Sequence, residues 1–500
     1  MVIMKKIKLI TTFLLGLMVI NSCSEEDLGL VNPNTLSPDT FFSTEEQVQS
    51  AVNAAYANLQ TNALYGRLIF YMLDNMSQEN AGNGQQEADK RTYAEYTYNS
   101  TNQFIADYWD SCYRGINKAN FVINNQDRIN ELSEAILSET QKNKFIGEAR
   151  FLRAHYYWLL VTRFGDIPLR VDGSSPEGLP RSPREQVIDL IIDDLRFASS
   201  NLLPKSEEQK GRANRGAAQA FLGKVLLYEG EYSNALTSFR AMSGYGLETE
   251  YFDNFREETE HGIESVWEVE YNINLGTGNK WDSAVIGQGA NHANFRGQDY
   301  GVLNWFNVYP SDDLRAEFEA GDNRFQGSFY VVGDTYNNGA NTLVESDFAE
   351  NGGNIRPAAW RKYQNYYKQT SENEESGINI KIIRYSDVLL MMAECENEVG
   401  TQSAAVGLIN QVRARAGLAG LSTSLSKDQV FQAIIHERKV ELAGEQVRFD
   451  DLLRWNLAGS VLPGLSENRF DPSKHILWPI PDNEISTNAN IGPGDQNPGY

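Results

Sequence analysis

The chain has 500 residues, 41% of them apolar and 22% charged, which is ample for a large hydrophobic core. Its 67 acidic and 44 basic residues give a formal net charge of −23, which disfavours binding to nucleic acid and other polyanions. The cysteines Cys23, Cys112 and Cys395 form neither a disulfide framework nor a zinc pattern. We predict that Cys112 and Cys395, which lie in apolar helical stretches, are buried.

Residues 1–22 have the features of a signal peptide. Three lysines precede the apolar run Leu9–Ile20, which is too short to span a membrane comfortably. Ser22-Cys23 resembles a lipobox, so we predict that Cys23 is lipidated and becomes the mature N-terminus. The alternative is an ordinary cleaved signal followed by a stray cysteine. Cleavage removes three lysines and no acid, which takes the net charge from −23 to −26, and a diacyl anchor would hold the chain stably on a bilayer.

The start of the mature chain, residues 23–43, is predicted to be an acidic tether leading into an extended segment. A helix should begin after Thr44, whose side chain suits the N-cap position and is followed by acidic residues. A helical hairpin is predicted over about 104–125, and an amphipathic helix over 187–198. These elements open a single body that we expect to extend over residues 44–500.

The most apolar helix is predicted over about 145–164. Apolar residues recur in two stripes, one through Leu152 and one through Leu160. A helix that is apolar on two sides must be covered on two sides, as in a stack of helical hairpins. Gly165 should end this helix, and Pro168 prevents it from resuming.

Two further segments have the spacing of tetratricopeptide repeats. In that pattern a small residue is followed by alanine twelve positions later and by a large apolar residue sixteen positions later. The small residue lets two helices approach closely, and the spacing therefore predicts helical hairpins that form an interaction scaffold. The two sets are Gly223, Ala235 and Phe239, and Ala393, Ala405 and Ile409.

The segment 246–380 has little helical periodicity and is rich in glycine, asparagine and aromatic residues. Alternation over Ser265–Tyr271 predicts a short strand. Two loops, 80–93 and 272–296, carry the residue types that bind sugars, because a flat ring covers the apolar face of a pyranose while amides and cations bind its hydroxyls. We expect this irregular region to carry the ligand site.

Trp281 is the leading candidate for sugar contact because its neighbours are polar and nothing local would bury it. Trp305 lies in an apolar run and is predicted to be core. The predicted ligand-binding residues are Asn83, Gln85, Gln86, Tyr93, Asn279, Lys280, Trp281, His292, Asn294, Arg296 and Trp360.

The segment 427–455 is dense in charge. Paired carboxylates could indicate glycoside hydrolysis, but the spacings Glu437–Glu441 and Asp450–Arg454 favour a structural ion-pair network. An extended tail should follow over 457–500.

We find no sequence support for catalysis. None of the five histidines has a metal-binding spacing, and the nucleophile-elbow and phosphate-loop motifs are missing. His155, among aromatic residues, is predicted to be packed in the core. We therefore predict no catalytic residues, no metal site and no cofactor; the acidic stretch 312–325 has no evenly spaced oxygen ligands, and the sequence leaves open whether a structural calcium ion binds.

Five separated stretches between Cys23 and Tyr500 resemble the SusD/RagB family of glycan-binding surface lipoproteins. They are NPNTLSPDTFFSTEEQVQSAVNAAY, RFGDIPL after the aromatic helix, DDLRAEFEAGDNRF, the 427–455 block, and the tail with WPIP and QNPGY. The acidic residues after Cys23 similarly resemble the surface-export signal of Bacteroidetes lipoproteins.

The resemblance implies a mainly α fold with about four tetratricopeptide-like pairs, here placed in 44–245 and 381–456, around the irregular ligand-binding region 246–380. It also implies non-catalytic binding of an oligosaccharide or polysaccharide, and docking on a SusC-like TonB-dependent transporter at the cell surface of the outer membrane. The net charge favours a neutral glycan. The alternatives are a scaffold that binds only protein and a glycoside hydrolase.

Overall fold

The structure is a computed structural model, which describes residues 41–82, 86–172, 178–275, 292–350, 353–372, 375–465 and 469–500. Over these ranges, no helix is both long enough and apolar enough to cross a membrane. Helices dominate, and the long ones lie before residue 245 and after residue 380. In chain order the helices are α1 Glu45–Ala57, α2 Leu68–Met76, α3 Ala88–Glu95, α4 Gln103–Ile123, α5 Gln126–Glu131, α6 Glu139–Phe164, α7 Arg184–Asn201, α8 Arg215–Tyr228, α9 Tyr232–Arg240, α10 Arg296–Tyr300, α11 Asp312–Ala316, α12 Asn323–Ser328, α13 Tyr385–Val399, α14 Gln402–Arg415, α15 Lys427–Glu441, α16 Arg448–Arg454, α17 Ala458–Val461 and α18 Asp482–Thr487.

The long helices form a continuous stack of pairs. Helix α1 packs on α4, α4 on α6, α6 on α7, α7 on α8 and α8 on α9, and α9 then packs on α13, which contacts α14 and α15. The two segments with tetratricopeptide spacing fold as the pairs α8–α9 and α13–α14. The prediction of a mainly α fold with tetratricopeptide-like pairs is therefore confirmed.

Helix α6 is the centre of this stack. Ser138 caps it in a capping box with Gln141, and it ends at Gly165, whose φ of +71° suits glycine. Residues of both predicted apolar stripes, including Leu152 and Leu160, are fully buried. His155 is buried in the same helix, as predicted.

Thr44 caps α1 through its hydroxyl, which accepts a hydrogen bond from the backbone N–H of Gln47. Cys112 and Cys395 are buried free thiols, as expected.

The predicted hairpin over 104–125 is wrong, because this segment is one helix, α4. Its Gly115 makes no turn; it lies against the ring of Tyr156, where a Cβ would come within 2.4 Å.

The irregular half is held together by four two-stranded antiparallel ladders, within the described part of the chain. The predicted strand at 265 is present and pairs with the strand that leads directly into α13. The ladders therefore tie the irregular half to the helical stack. The strand pairs are β1 Asn80–Gly82 with β3 Val308–Pro310, β2 Ser265–Val269 with β8 Ile380–Arg384, β4 Phe329–Tyr330 with β7 Ala359–Trp360, and β5 Thr335–Tyr336 with β6 Asn341–Thr342.

Candidate functional site

Segments predicted to hold the ligand site meet at Asn80. Asn80 Nδ2 donates a hydrogen bond to the hydroxyl of Tyr300 at 3.0 Å, and Asn80 Oδ1 accepts one from Trp360 Nε1 at 2.8 Å. Pairing of β1 with β3 places Asn80 opposite Pro310. Segment 80–93, which was predicted to be a loop but contains β1 and most of α3, therefore converges with the segment after residue 292 and the segment around Trp360.

Trp360 supports this region from inside and does not offer a ring face to a sugar. The prediction that Trp360 contacts the ligand is wrong, because its indole is fully buried. The ring packs on Phe329 and Tyr300, with centroids 5.3 and 6.2 Å apart. Gly444 closes another side, since a Cβ there would lie 2.8 Å from the indole.

Arg296 and Asn294 are also buried. The Arg296 guanidinium donates to the carbonyl of Gly444 at 2.7 Å and lies 3.4 Å from the carboxylate of Asp74. Asn294 Nδ2 donates to the carbonyl of Ile378 at 2.9 Å. Both polar groups are committed to the protein, and we correct the prediction that they contact a ligand.

Tyr93 lies in α3 and is likewise core. Its hydroxyl donates to Asn102 Oδ1 at 2.8 Å, and Asn102 in turn caps α4. Its ring stacks on Tyr98 with centroids 5.3 Å apart. Tyr93 therefore joins two helices and leaves no ring face for a ligand.

Gln86 and His292 stay predictions as ligand contacts. Gln86 is buried at the end of its loop, and its amide has no hydrogen-bond partner among the residues with a described placement. His292 is partly exposed and borders a groove of about 310 Å³ together with Lys210 and Glu270. The other predicted contacts, Asn83, Gln85, Asn279, Lys280 and Trp281, lie outside the residues that the structure describes.

Trp305 was predicted to be core, but its ring is partly exposed and is therefore a further candidate for ligand contact. Its side chain is partly exposed, whereas the neighbouring Phe306 is buried. The reason is a tight turn: the Phe306 N–H donates to the carbonyl of Gly301, and Phe306 adopts a positive φ of 46°. The apolar neighbours of Trp305 therefore led to a wrong prediction of its burial. Gly301, a turn-forming residue, was the sequence signal that could have indicated its exposure.

A charged side chain, that of Arg67, lies next to the Trp305 indole. The Arg67 guanidinium lies 5.4 Å from the Trp305 ring centroid and binds both carboxylate oxygens of Asp299, at 2.8 and 2.9 Å. It also approaches Glu87, which is half-exposed, at 3.4 Å. Asn304 precedes Trp305 and is partly exposed, but its amide donates to Gln298 Oε1 at 2.8 Å and accepts from the Glu372 N–H at 2.9 Å. We name Arg67, Glu87, Asn304 and Trp305 the Trp305 face.

The ion pair with Asp299 holds the Arg67 guanidinium of the Trp305 face in position. Burial by itself would lower the pKa of Arg67, but the Asp299 carboxylate outweighs burial and raises the pKa above its usual value. The guanidinium is therefore charged at any physiological pH and is held in place before a ligand arrives. Arg67 is itself buried, so it holds the face in place, and the partly exposed Trp305 ring and the half-exposed Glu87 carboxylate are the groups that can bind a pyranose, by stacking and by accepting hydrogen bonds from its hydroxyls.

The charged C-terminal block is a structural network, as predicted for Glu437 and Glu441. Both are fully buried; Glu437 binds Arg324 at 2.8 Å and Glu441 binds Arg384 at 2.9 Å. Burial alone would raise the pKa of Glu441, but Arg415, Arg384 and Arg324 hold it well below its usual value. A general acid in glycoside hydrolysis needs the opposite shift, so Glu441 is not suited to that role.

The predicted Asp450–Arg454 pair is wrong. Asp450 instead accepts a hydrogen bond from Arg163 of α6. Arg454 donates to Glu394 at 2.8 Å and to Asp451 at 2.9 Å. The network therefore ties the C-terminal block to the helical stack across the chain.

Two histidine–carboxylate clusters in the described ranges have atoms close enough to hold a metal ion: His261, Glu268 and Glu270, and Glu319, His436 and Glu437. Each also contains a competing cation. Lys381 binds Glu268, and Arg413 binds both Glu319 and Glu437. These clusters therefore have the composition of ion-pair networks, and calcium binding stays an open prediction.

Two family models match the chain. The model described as "Starch-binding associating with outer membrane" matches residues 28–227, and the model described as "SusD family" matches residues 263–468. The chain belongs to the SusD family. The two matches include most of the helical stack, the segments that converge at Asn80 and the charged C-terminal block.

Relatives of this SusD-family chain align over nearly its whole length. SusD-like protein P2 of Formosa agariphila is 29% identical over 531 aligned residues, which cover 99% of this chain and all of the relative. A SusD superfamily structure from Bacteroides vulgatus is 26% identical, with a TM-score of 0.78, over 92% of this chain and 100% of that one. A laminarin-binding SusD-like protein is 25% identical, with a TM-score of 0.74, over the same shares of the two chains.

Proposed function

We propose that this SusD-family chain binds a neutral oligosaccharide or polysaccharide without cleaving it. The observation that carries the proposal is the partly exposed Trp305 ring beside the fixed Arg67 guanidinium. Support comes from the family description, which names starch binding, and from the structural relative, which binds laminarin. Trp281, outside the described residues, is proposed as a second ring platform for the same glycan.

The proposed place of action is the outer surface of the outer membrane. Cys23 would carry the lipid anchor, and the acidic residues after it would direct export to the surface. The helical pairs would dock on a SusC-like TonB-dependent transporter, because tetratricopeptide-like stacks are scaffolds for protein binding. Glycan held between the chain and the transporter would then be imported.

Calorimetric titration of the mature chain with laminarin and with soluble starch tests the binding proposal. We expect saturable binding of at least one of them and no new reducing ends after prolonged incubation. Release of reducing ends would favour the hydrolase alternative. Failure to bind these or any other neutral glycan, while the chain still copurifies with an outer-membrane barrel, would favour the alternative of a protein-only scaffold.

Purification from native membranes tests the partner separately. We expect a large outer-membrane barrel protein to copurify with the tagged, lipidated chain. Loss of the barrel from every preparation would overturn the docking proposal and leave glycan binding untouched.

A further inference from the structure

A cavity of about 70 Å³ lies inside the helical half, between α6, α8 and β8. Such a volume has room for a few water molecules or one small organic molecule. It shares no residue with the Trp305 face, and its wall is largely apolar. The rings and aliphatic side chains of that wall include Trp158, Leu159, Phe221, Trp267 and Ile383.

Lys224 brings a positive charge to this cavity. Its side chain extends from α8 into the wall and is only 8% exposed. Across the described part of the chain, its ammonium makes no ion pair or hydrogen bond; the nearest recorded contact is the Tyr228 ring, 5.8 Å from Nζ. A buried ammonium without a partner is costly, and an anion beside it would remove that cost.

The other charges in the cavity wall are already matched. Arg163 binds Asp450, and Lys381 binds Glu268 outside the wall. Glu445 binds Lys362 and Arg384, each at 2.7 Å. Lys224 is therefore the one cation of the described wall without a matching carboxylate.

Charges at longer range do not compensate Lys224 either. Asp387 and Asp451 act on it favourably, but Arg438 and Arg454 oppose them. These four groups already pair among themselves, with Arg438 2.7 Å from each of the two carboxylates. Burial lowers the pKa of Lys224, and because these four groups are engaged with one another, an anion in the cavity is what would stabilise the charged ammonium.

A second donor in the wall also has no acceptor. Trp267 Nε1 is buried without a hydrogen-bond partner among the residues that the structure covers. Other polar side chains of the wall bond to one another or to the backbone: the hydroxyl of Tyr65 bonds His155 Nε2 at 3.0 Å, and Thr162 Oγ1 donates to the carbonyl of Trp158 at 2.7 Å. The cavity therefore offers spare donors and apolar surface.

We propose that this cavity binds a small monocarboxylate. The carboxylate would pair with the Lys224 ammonium, and a short aliphatic chain would pack on Trp158 and Phe221. Thr162 and Gln446 are partly exposed at the edge of the cavity and mark the side from which the ligand would enter. This site is separate from glycan binding at the Trp305 face, and neither proposal depends on the other.

Isothermal titration of the full mature chain with sodium butyrate tests the proposal. We expect saturable binding, and binding of acetate about tenfold weaker because two fewer methylene groups are buried. Butyramide, a neutral analogue of similar shape, should bind at least about tenfold more weakly than butyrate. Lys224→Met should abolish butyrate binding and melt at the same temperature as the wild type or higher, since it removes an unpaired buried charge.

Two further variants keep the test decisive. Lys210→Met removes an exposed lysine outside the cavity and should leave butyrate affinity unchanged. Leu159→Phe fills the cavity while keeping Lys224, and should abolish binding even if Lys224→Met does not fold. The proposal is overturned if butyrate does not bind the wild type, or if either cavity variant that folds binds it with wild-type affinity.

Discussion

Gly223 of α8 lies so close to Phe239 of α9 that a methyl group at Gly223 would come within 2.5 Å of the ring. This contact lets the two helices of the repeat pack tightly. Gly223→Ala should therefore destabilise the fold by about 1–3 kcal/mol, because a buried ring must move to admit the methyl group. Urea unfolding followed by circular dichroism would measure the change.

Gly407 provides a matched control. It also lies within a helix, α14, but a Cβ there would meet no atom within 4 Å. Gly407→Ala should be neutral or stabilising by up to about 1 kcal/mol, because alanine is the better helix former. Equal effects of the two substitutions would show that the contact with Phe239 does not limit the packing of α8 and α9.

The Gly223–Phe239 contact was predictable from sequence because both residues belong to one hairpin with a fixed spacing. The same is true of α6, whose two apolar stripes and terminal glycine are visible in one window of sequence. Local patterns of this kind predicted the helical stack correctly. They failed at 104–125, which was predicted as a hairpin but is one helix, whose Gly115 packs closely against Tyr156.

The site residues were less predictable because their burial depends on distant partners. Trp360 is covered by Phe329 and Gly444 and hydrogen-bonded to Asn80, 280 positions away. The neighbouring sequence, with Arg361 and Lys362 directly after Trp360, does not indicate these contacts. Trp305 shows the reverse case, since a turn exposes a ring that its apolar neighbours suggested was core.

His261 should make stability depend on pH. Burial opposes protonation of its ring, but hydrogen bonds to Glu268 and Glu270 outweigh burial and raise the pKa to about 9. The folded pKa exceeds the unfolded value of about 6.5, so the stabilisation is complete below about pH 6.5 and is lost as pH rises through about 9. His261→Asn, which tolerates the positive φ of this position, should cost on the order of 2 kcal/mol at pH 6.

Melting curves of wild type and His261→Asn between pH 6 and pH 10 measure this dependence. The difference in stability should shrink towards zero at the alkaline end. Glu270→Gln should reproduce part of the effect, because it removes one of the two carboxylates that contact the ring. A difference that does not vary with pH would assign the role of His261 to packing.

Cys23 should determine where the protein resides. Cys23→Ala removes the proposed acylation site, and we expect the variant to be released in soluble form or to be retained as unprocessed precursor. Membrane fractionation with detection of the full-length chain distinguishes these results from the wild type. Unchanged recovery in the outer-membrane fraction would contradict the lipid anchor.

The mature chain should prefer a neutral glycan to a polyanion. Its net charge of −26 repels uronates and sulfated sugars, and the Arg296 guanidinium does not offset this repulsion at the surface because it is buried. Affinity electrophoresis should show retardation by laminarin or starch and none by alginate. Tight binding of alginate that weakens as salt is added would contradict this preference.

Trp281 and Trp305 should each supply a stacking platform. Trp281→Ala is expected to weaken binding of the cognate glycan by on the order of 1–3 kcal/mol, about 5- to 150-fold, by analogy with stacking of bases on aromatic side chains. Its melting temperature should hardly change. A variant that unfolds would identify Trp281 as core, and one that binds normally would place the sugar elsewhere.

Trp305→Ala tests the face that the structure describes. The indole is partly exposed and lies beside Arg67, so its removal should weaken glycan binding by a similar factor of about 5 to 150 while the fold is retained. Trp455→Ala is the matched control, because Trp455 is also partly exposed but lies on the helical half, where its Nε1 donates to Glu394 at 3.0 Å. Glycan affinity measured by calorimetry should fall for Trp305→Ala alone. Equal losses in both variants would indicate a general effect of tryptophan removal, and wild-type affinity of Trp305→Ala would exclude the Trp305 face as the glycan site.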